Sequence, residues 1–122
     1  MIRIDQLDKS TDFMSQLQEK TGPIVLINTF IVPEGKMEEV LAIWEGDAKF
    51  MKSCPGFIST QLHRGTGNSH TLVNIAVWQS TEALLEAFNN PNFKKASSAY
   101  PDGMVAYPHV LEKVSIDGVC VA

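Results

Sequence analysis

The chain has 122 residues, enough for one domain with a core of its own. Its apolar fraction of 44% and charged fraction of 20% are ordinary for a globular protein, and 10 basic against 14 acidic residues leave a net charge of −4. No cluster of Lys or Arg is present to hold phosphates, and no apolar run nears the roughly 20 residues that span a bilayer, so neither nucleic acid nor membrane is the expected partner.

Asp5, Asp8 and Lys9 interrupt what would be the apolar core of a signal peptide, and a cytoplasmic location is the expectation. Cys54 and Cys120 lie far apart and belong to no CxxC, so free thiols are expected rather than a disulfide. Cys54 reads as a small hydrophobe beside Pro55-Gly56.

Residues 1–21 form an N-terminal arm. Thr11 or Asp12 is placed to start a short helix carrying Phe13 and Leu17. The arm shows no fold of its own and is expected to pack on the domain or on a neighbouring subunit. Gly22-Pro23 separates it from the run Ile24 to Val32. Alternate residues of a strand face opposite ways, which puts Leu26, Asn28 and Phe30 on one face and Val25, Ile27 and Ile31 on the other. Both faces are apolar apart from Asn28 and Thr29, so this is a central strand covered on both sides.

After the turn Pro33-Glu34-Gly35 the period changes. Met37, Val40, Leu41, Trp44, Ala48 and Met51 recur at helical spacing from Lys36 to Lys52, and Glu38, Glu39, Glu45, Asp47 and Lys52 are assigned to the solvent side. Pro55-Gly56 stops this helix. Phe57 to Arg64 reads as a second, more polar strand, and Thr71 to Trp78 as a third, apolar on both faces and interrupted by Asn74. The first and third strands are expected side by side in the centre, with the second at an edge.

Ser80 caps a helix through Leu84 and Phe88, and a further short segment with Phe93 runs to about Tyr100. A fourth strand is expected over Val105 to Ile116, with Pro108 arguing for an edge or a bulge because proline has no N–H for the ladder. An apolar tail, 117–122, follows a turn at Asp117-Gly118.

The resulting order, βαββαβ, is the ferredoxin-like α+β arrangement over residues 22–116: an antiparallel sheet with helices on one face. The first and third strands remain apolar on the other face. A second subunit's sheet would cover it, so a homodimer with the two sheets face to face, a dimeric α/β barrel, is expected.

Several stretches carry a family likeness. They are Leu26-Ile27-Asn28 with Pro33-Glu34-Gly35-Lys36, the exit Pro55-Gly56-Phe57, Val77-Trp78-Gln79-Ser80 followed by Ala83, and Pro91-Asn92-Phe93-Lys94. Over Gly22 to Val114 the chain resembles the antibiotic biosynthesis monooxygenase superfamily of dimeric α+β barrels. The motifs shape turns and packing, so they speak for fold before activity. The resemblance implies oxygenation without flavin, haem or metal, in which a phenolic, anthrone-type or quinol-type substrate loses a proton and its carbanion reduces dioxygen. The protein then supplies an apolar pocket between helices and sheet, an acceptor for the proton and donors for the oxygenated anion. The alternative is a non-catalytic dimeric barrel that binds a small ligand or serves a stress response. Haem degradation, a second activity in the superfamily, implies an Asn, a Trp and a proximal His. A gap-free match gives Asn28, Ala87 and Ser97 at those positions, and without the imidazole the iron has no axial ligand.

Candidate residues follow, each with a plainer role beside it. Asn28 either orients a substrate oxygen or is a structural amide paired with Asn74, which is itself a second candidate to bind substrate. His63 and His109, on the second and fourth strands, are the candidate bases; a strand His otherwise sits at the surface or is satisfied by a neighbour. His70 lies in a turn. Trp44, Trp78, Phe88 and Phe93 either stack on an aromatic substrate or belong to the core. Tyr100 is a candidate donor to an oxyanion. No His or Cys spacing suggests a metal site, and no nucleophile elbow, P-loop or dinucleotide fingerprint is present.

Overall fold

The computed structural model describes residues 2–121. In chain order the elements are β1 (Arg3–Ile4), α1 (Phe13–Gln18), β2 (Ile24–Ile31), α2 (Met37–Lys52) and β3 (Phe57–Arg64). Then come β4 (Thr71–Trp78), α3 (Thr81–Phe88), α4 (Pro91–Ser97) and β5 (Val105–Leu111). The expected βαββαβ core is present in β2, α2, β3, β4, α3 and β5, with the four helices on one sheet face.

The sheet has five strands in the order β1-β5-β2-β4-β3. The two-faced strand β2 is central, antiparallel to β4 on one side and to β5 on the other, and β3 is an edge. The fifth strand comes from the arm. Arg3 and Ile4 pair parallel with Val105 and Ala106, so the arm docks on its own domain. Beyond that two-residue pairing no strand among the described residues flanks the outer edge of β5, and there Pro108 needs no N–H to give. Gln16 covers the next stretch: its side-chain amide donates to the Val110 carbonyl at 2.9 Å and accepts from the Val110 N–H at 2.8 Å. The fourth core strand ends at Leu111, earlier than expected, and Ile116 instead bridges to Cys120 across the Asp117-Gly118 turn.

Local sequence explains the helices. Glu38 and Glu39 in the first turn of α2 and Lys49 and Lys52 in its last turn complement the helix dipole. The Ser80 side chain accepts from the Ala83 N–H to start α3, and Asn90 accepts from Asn92 to start α4 with Pro91 in its first turn. The arm is tied to α3 through Thr81, whose buried hydroxyl donates to the Glu19 carbonyl and accepts from the Thr21 N–H.

Packing divides the helix-side core into two clusters. One gathers Phe13, Leu17, Ile24, Leu26, Trp78 and Leu84; the other gathers Phe30, Val32, Val40, Leu72, Tyr100 and Met104. Between them, at the middle of β2 and β4, the sheet presents Asn28 opposite Asn74. The opposite face carries Val25, Ile27, Val73 and Ile75, half-buried with no helix over them, and Ile31 and Leu111, which are exposed. No helix among the described residues is long and apolar enough to cross a membrane.

Candidate active site

The two clusters leave a cavity of about 400 Å³ between them, bounded by the sheet below and the helices above. Its floor follows from strand parity. Leu26, Asn28 and Phe30 of β2 stand beside Ala76 and Asn74 of β4 and beside Ala106 and Pro108 of β5, all on the helix side. A β-bulge between Phe57 and Ser59 lets both Phe57 and Thr60 face the same cavity from β3.

Most of the aromatic expectations meet here. Trp44 of α2, Trp78 of β4, Phe88 of α3, Phe93 of α4 and Tyr100 all line the cavity. They are also packed against one another or the core: Phe88 meets Phe93 edge-on at 4.9 Å between ring centres, and Phe57 meets Trp78 at 5.4 Å. The walls are apolar and aromatic, a surface suited to a flat ring.

The two amides differ in their bonding. Asn74 Oδ1 accepts a hydrogen bond from the Thr60 hydroxyl, which fixes the amide and leaves its NH₂ for a ligand. Asn28 Oδ1 is buried and has no hydrogen-bond partner among the described residues. The structural pairing of Asn28 with Asn74 is therefore not formed through that oxygen, although the two residues are register partners.

Neither candidate histidine reaches the cavity. His109 lies opposite Ile27 in the β2–β5 ladder, and Ile27 faces away from the helices. Its Nε2 is 3.2 Å from the Gln16 amide, and its Nδ1 is buried without a partner. His63 is exposed on the edge strand, with Nδ1 3.3 Å from the Val73 carbonyl oxygen. His109 stands one residue out of phase with the cavity-lining Pro108, and His63 one residue out of phase with Leu62, which packs on the helix-side core, so the placement does not fit them as bases for anything bound inside. His70 is exposed.

A carboxylate occupies the cavity instead. Asp47, assigned by its charge to the outer side of α2, is only 6% exposed and lines the cavity. Burial pushes its carboxyl above the usual range, and a hydrogen bond with Tyr100 opposes that shift in part. Tyr100 is itself raised, first by burial and then by the charge of Asp47 and the hydrogen bond to it. The helical spacing contained the signal. Trp44, Asp47, Ala48 and Met51 fall at i, i+3, i+4 and i+7, a single stripe.

Among the described residues no group of three or more His, Cys, Asp or Glu is arranged to hold a metal ion. Cys54 and Cys120 are free thiols, and partial burial followed by the nearby Glu86 pushes the Cys54 thiol up.

Residues 23–99 match the family model for antibiotic biosynthesis monooxygenases. The chain belongs to this family. A protein of Shewanella loihica PV-4 is 32% identical, with a TM-score of 0.66 over 78% of this chain and 97% of that one. SnoaB of Streptomyces nogalater, a cofactor-independent oxygenase, is 23% identical, with a TM-score of 0.72 over 80% of this chain and 99% of its own. A Pseudomonas aeruginosa protein is 20% identical, with a TM-score of 0.64 over 78% and 97%. The last two likenesses speak for the fold alone. No curated protein matches the chain. The match ends at residue 99, yet this monooxygenase-family chain builds part of its cavity from Tyr100, Ala106 and Pro108 just beyond it, and part of the mouth from Ile2, Ile4 and Met14 of the arm.

Proposed function

We propose that the protein is a cofactor-independent monooxygenase that oxidises a small aromatic or quinol-type compound with dioxygen in this cavity. The observation that carries the reading is the combination of an open, aromatic-walled space with buried polar groups that face into it. A barrel that only binds a ligand expects a space filled by side chains or one apolar except for Asn28. Here Asn74, Thr60, Asp47 and Tyr100 line it as well. The name of SnoaB, a cofactor-independent oxygenase of the same fold, supports the same reading.

The chemistry asked of the protein is modest. An activated ring CH₂ gives up one proton, and the carbanion passes an electron to dioxygen. Radical and superoxide couple to form the C–O bond, and the peroxide takes a proton. Loss of water then breaks the O–O bond and the remaining C–H bond, leaving a carbonyl. The sum is CH₂ plus O₂ giving C=O plus H₂O. Trp44, Trp78, Phe88 and Phe93 hold the ring, and the side-chain NH₂ groups of Asn28 and Asn74 are donors to the oxygen that becomes negative.

The protein works as a homodimer in this reading, because the apolar far face of β2 and β4 is suited to a second copy of itself. Sedimentation would show a dimer; a stable monomer at micromolar concentration contradicts that part. For the activity, oxygen consumption with an anthrone is the test. The reading expects uptake without added cofactor, reduced in Asn28→Ala, and unchanged uptake in that variant removes Asn28 from the role.

A further inference from the structure

Asp47 is a carboxylate without the partners that normally justify burying one. It is 6% exposed, and its Oδ1 has no hydrogen-bond partner among the described residues. The Tyr100 hydroxyl is the neighbour that favours its ionised form. The ion pairs Arg3–Asp5, Lys49–Glu45 and Arg64–Glu38 lie elsewhere. A carboxylate kept for stability is matched by a cation or by several N–H donors; burying one without them is destabilising. Such an arrangement in a cavity wall marks a group retained for its reactivity.

We propose that Asp47 is the catalytic residue that takes the proton from the substrate, with Tyr100 as a positioning residue that holds the carboxylate toward the cavity. The assignment rests on the oxygenase reading for its setting, but the proton step is separable from oxygen. In that step a C–H bond of the substrate breaks, its electron pair stays on the ring carbon, and an O–H bond forms at Asp47. The same proton returns when the peroxide anion is protonated, so Asp47 ends each turnover as it began.

The surroundings define the substrate class. Among the residues lining the cavity the other titratable groups are Tyr100 and Lys94, and Lys94 is exposed at the mouth on α4. From the sheet Asp47 faces the amides Asn28 and Asn74 and the Thr60 hydroxyl, none of which carries a charge. A ligand carboxylate placed inside would set a second negative charge against Asp47 in apolar surroundings. The substrate is therefore a neutral, flat carbon acid, acidic at carbon and free of a carboxylate on its buried end. The raised affinity of Asp47 for a proton suits it as a base for so weak an acid.

The test follows deuterium exchange into the methylene of anthrone in D₂O without oxygen, by mass spectrometry, across pH. The wild-type protein accelerates exchange, with a rate that rises as Asp47 ionises, above the usual carboxylate range. Asp47→Asn lowers that acceleration by about 100-fold or more. Tyr100→Phe moves the rising limb to higher pH, because the Tyr100 hydroxyl that favours the ionised carboxyl is gone. Wild-type protein that does not accelerate exchange, or Asp47→Asn that exchanges within twofold of it, overturns the proposal. Should Asp47→Asn fail to fold, an unmoved limb in Tyr100→Phe overturns it equally. Exchange that depends on Asp47 with no oxygen uptake under air supports the proposal and counts against oxygenation alone.

Discussion

Asn28 and Asn74 stand directly opposite each other on β2 and β4, and only Asn74 has its side-chain oxygen satisfied. Two identical residues on one floor thus have different physical roles. Asn74 is anchored by Thr60, whereas Asn28 holds a buried acceptor with nothing to accept from. Asn74→Ala leaves the Thr60 hydroxyl without its acceptor and is expected to cost about 1–2 kcal/mol in urea unfolding. Asn28→Ala removes an unsatisfied oxygen and is expected within about 0.5 kcal/mol of wild type, while its turnover falls. Equal losses of stability in the two variants would contradict this division.

Asp47 links stability to pH. Its pKa is raised in the fold, so the protein is most stable with the group protonated and loses that stability as pH rises through the raised pKa. Asp47→Asn removes the titration. Thermal melts are expected to coincide below the ordinary carboxylate range and to diverge above it, the variant becoming more stable at neutral pH. For a domain of this size each kcal/mol is about 4 °C in Tm. A variant that melts lower at neutral pH than wild type would contradict the burial cost.

Gly56 meets Ala83 at the exit from α2. It has φ +87°, and a Cβ built there would lie 2.4 Å from the Ala83 Cβ. Both the backbone conformation and the contact forbid a side chain. Gly56→Ala is expected to cost about 2–4 kcal/mol, combining left-handed strain with overpacking. Adding Ala83→Gly relieves the contact but not the strain, so the double variant recovers only part of the loss. The same contact explains why Pro55-Gly56-Phe57 and Ala83, far apart in the chain, belong to one sequence signature.

The histidines serve as a control. His63 and His109 face away from the cavity, and His63→Ala and His109→Gln are each expected to keep oxygen uptake within about twofold of wild type, since neither side chain lines the cavity. A larger loss in His63→Ala would require a second route from that edge strand to the substrate.

How much was legible depended on which physical pattern each residue obeys. The two apolar faces of Ile24–Ile31 identified the central strand, and Gly/Pro punctuation with period changes gave the rest of the core order. The aromatic walls were legible through their helix and strand positions. The histidines have no readable side in the sequence, because a strand's face is known only once its register is known. Pro108, not His109, lies opposite Asn28, and the bulge after Phe57 resets the phase of β3. The charge of Asp47 points to solvent, whereas its helical spacing puts it on the buried stripe of Trp44, Ala48 and Met51. The two-residue strand β1 is too short to show any period at all, and its register comes from β5.

Cofactor-independent oxygenation is tested most directly by the fate of ¹⁸O₂ in a single turnover, using protein stripped of metal and flavin and an anthrone as substrate. One ¹⁸O atom is expected in the new carbonyl and the other in water, at a rate well above the uncatalysed reaction. A product oxygen drawn from solvent, or uptake no faster than without protein, would contradict it.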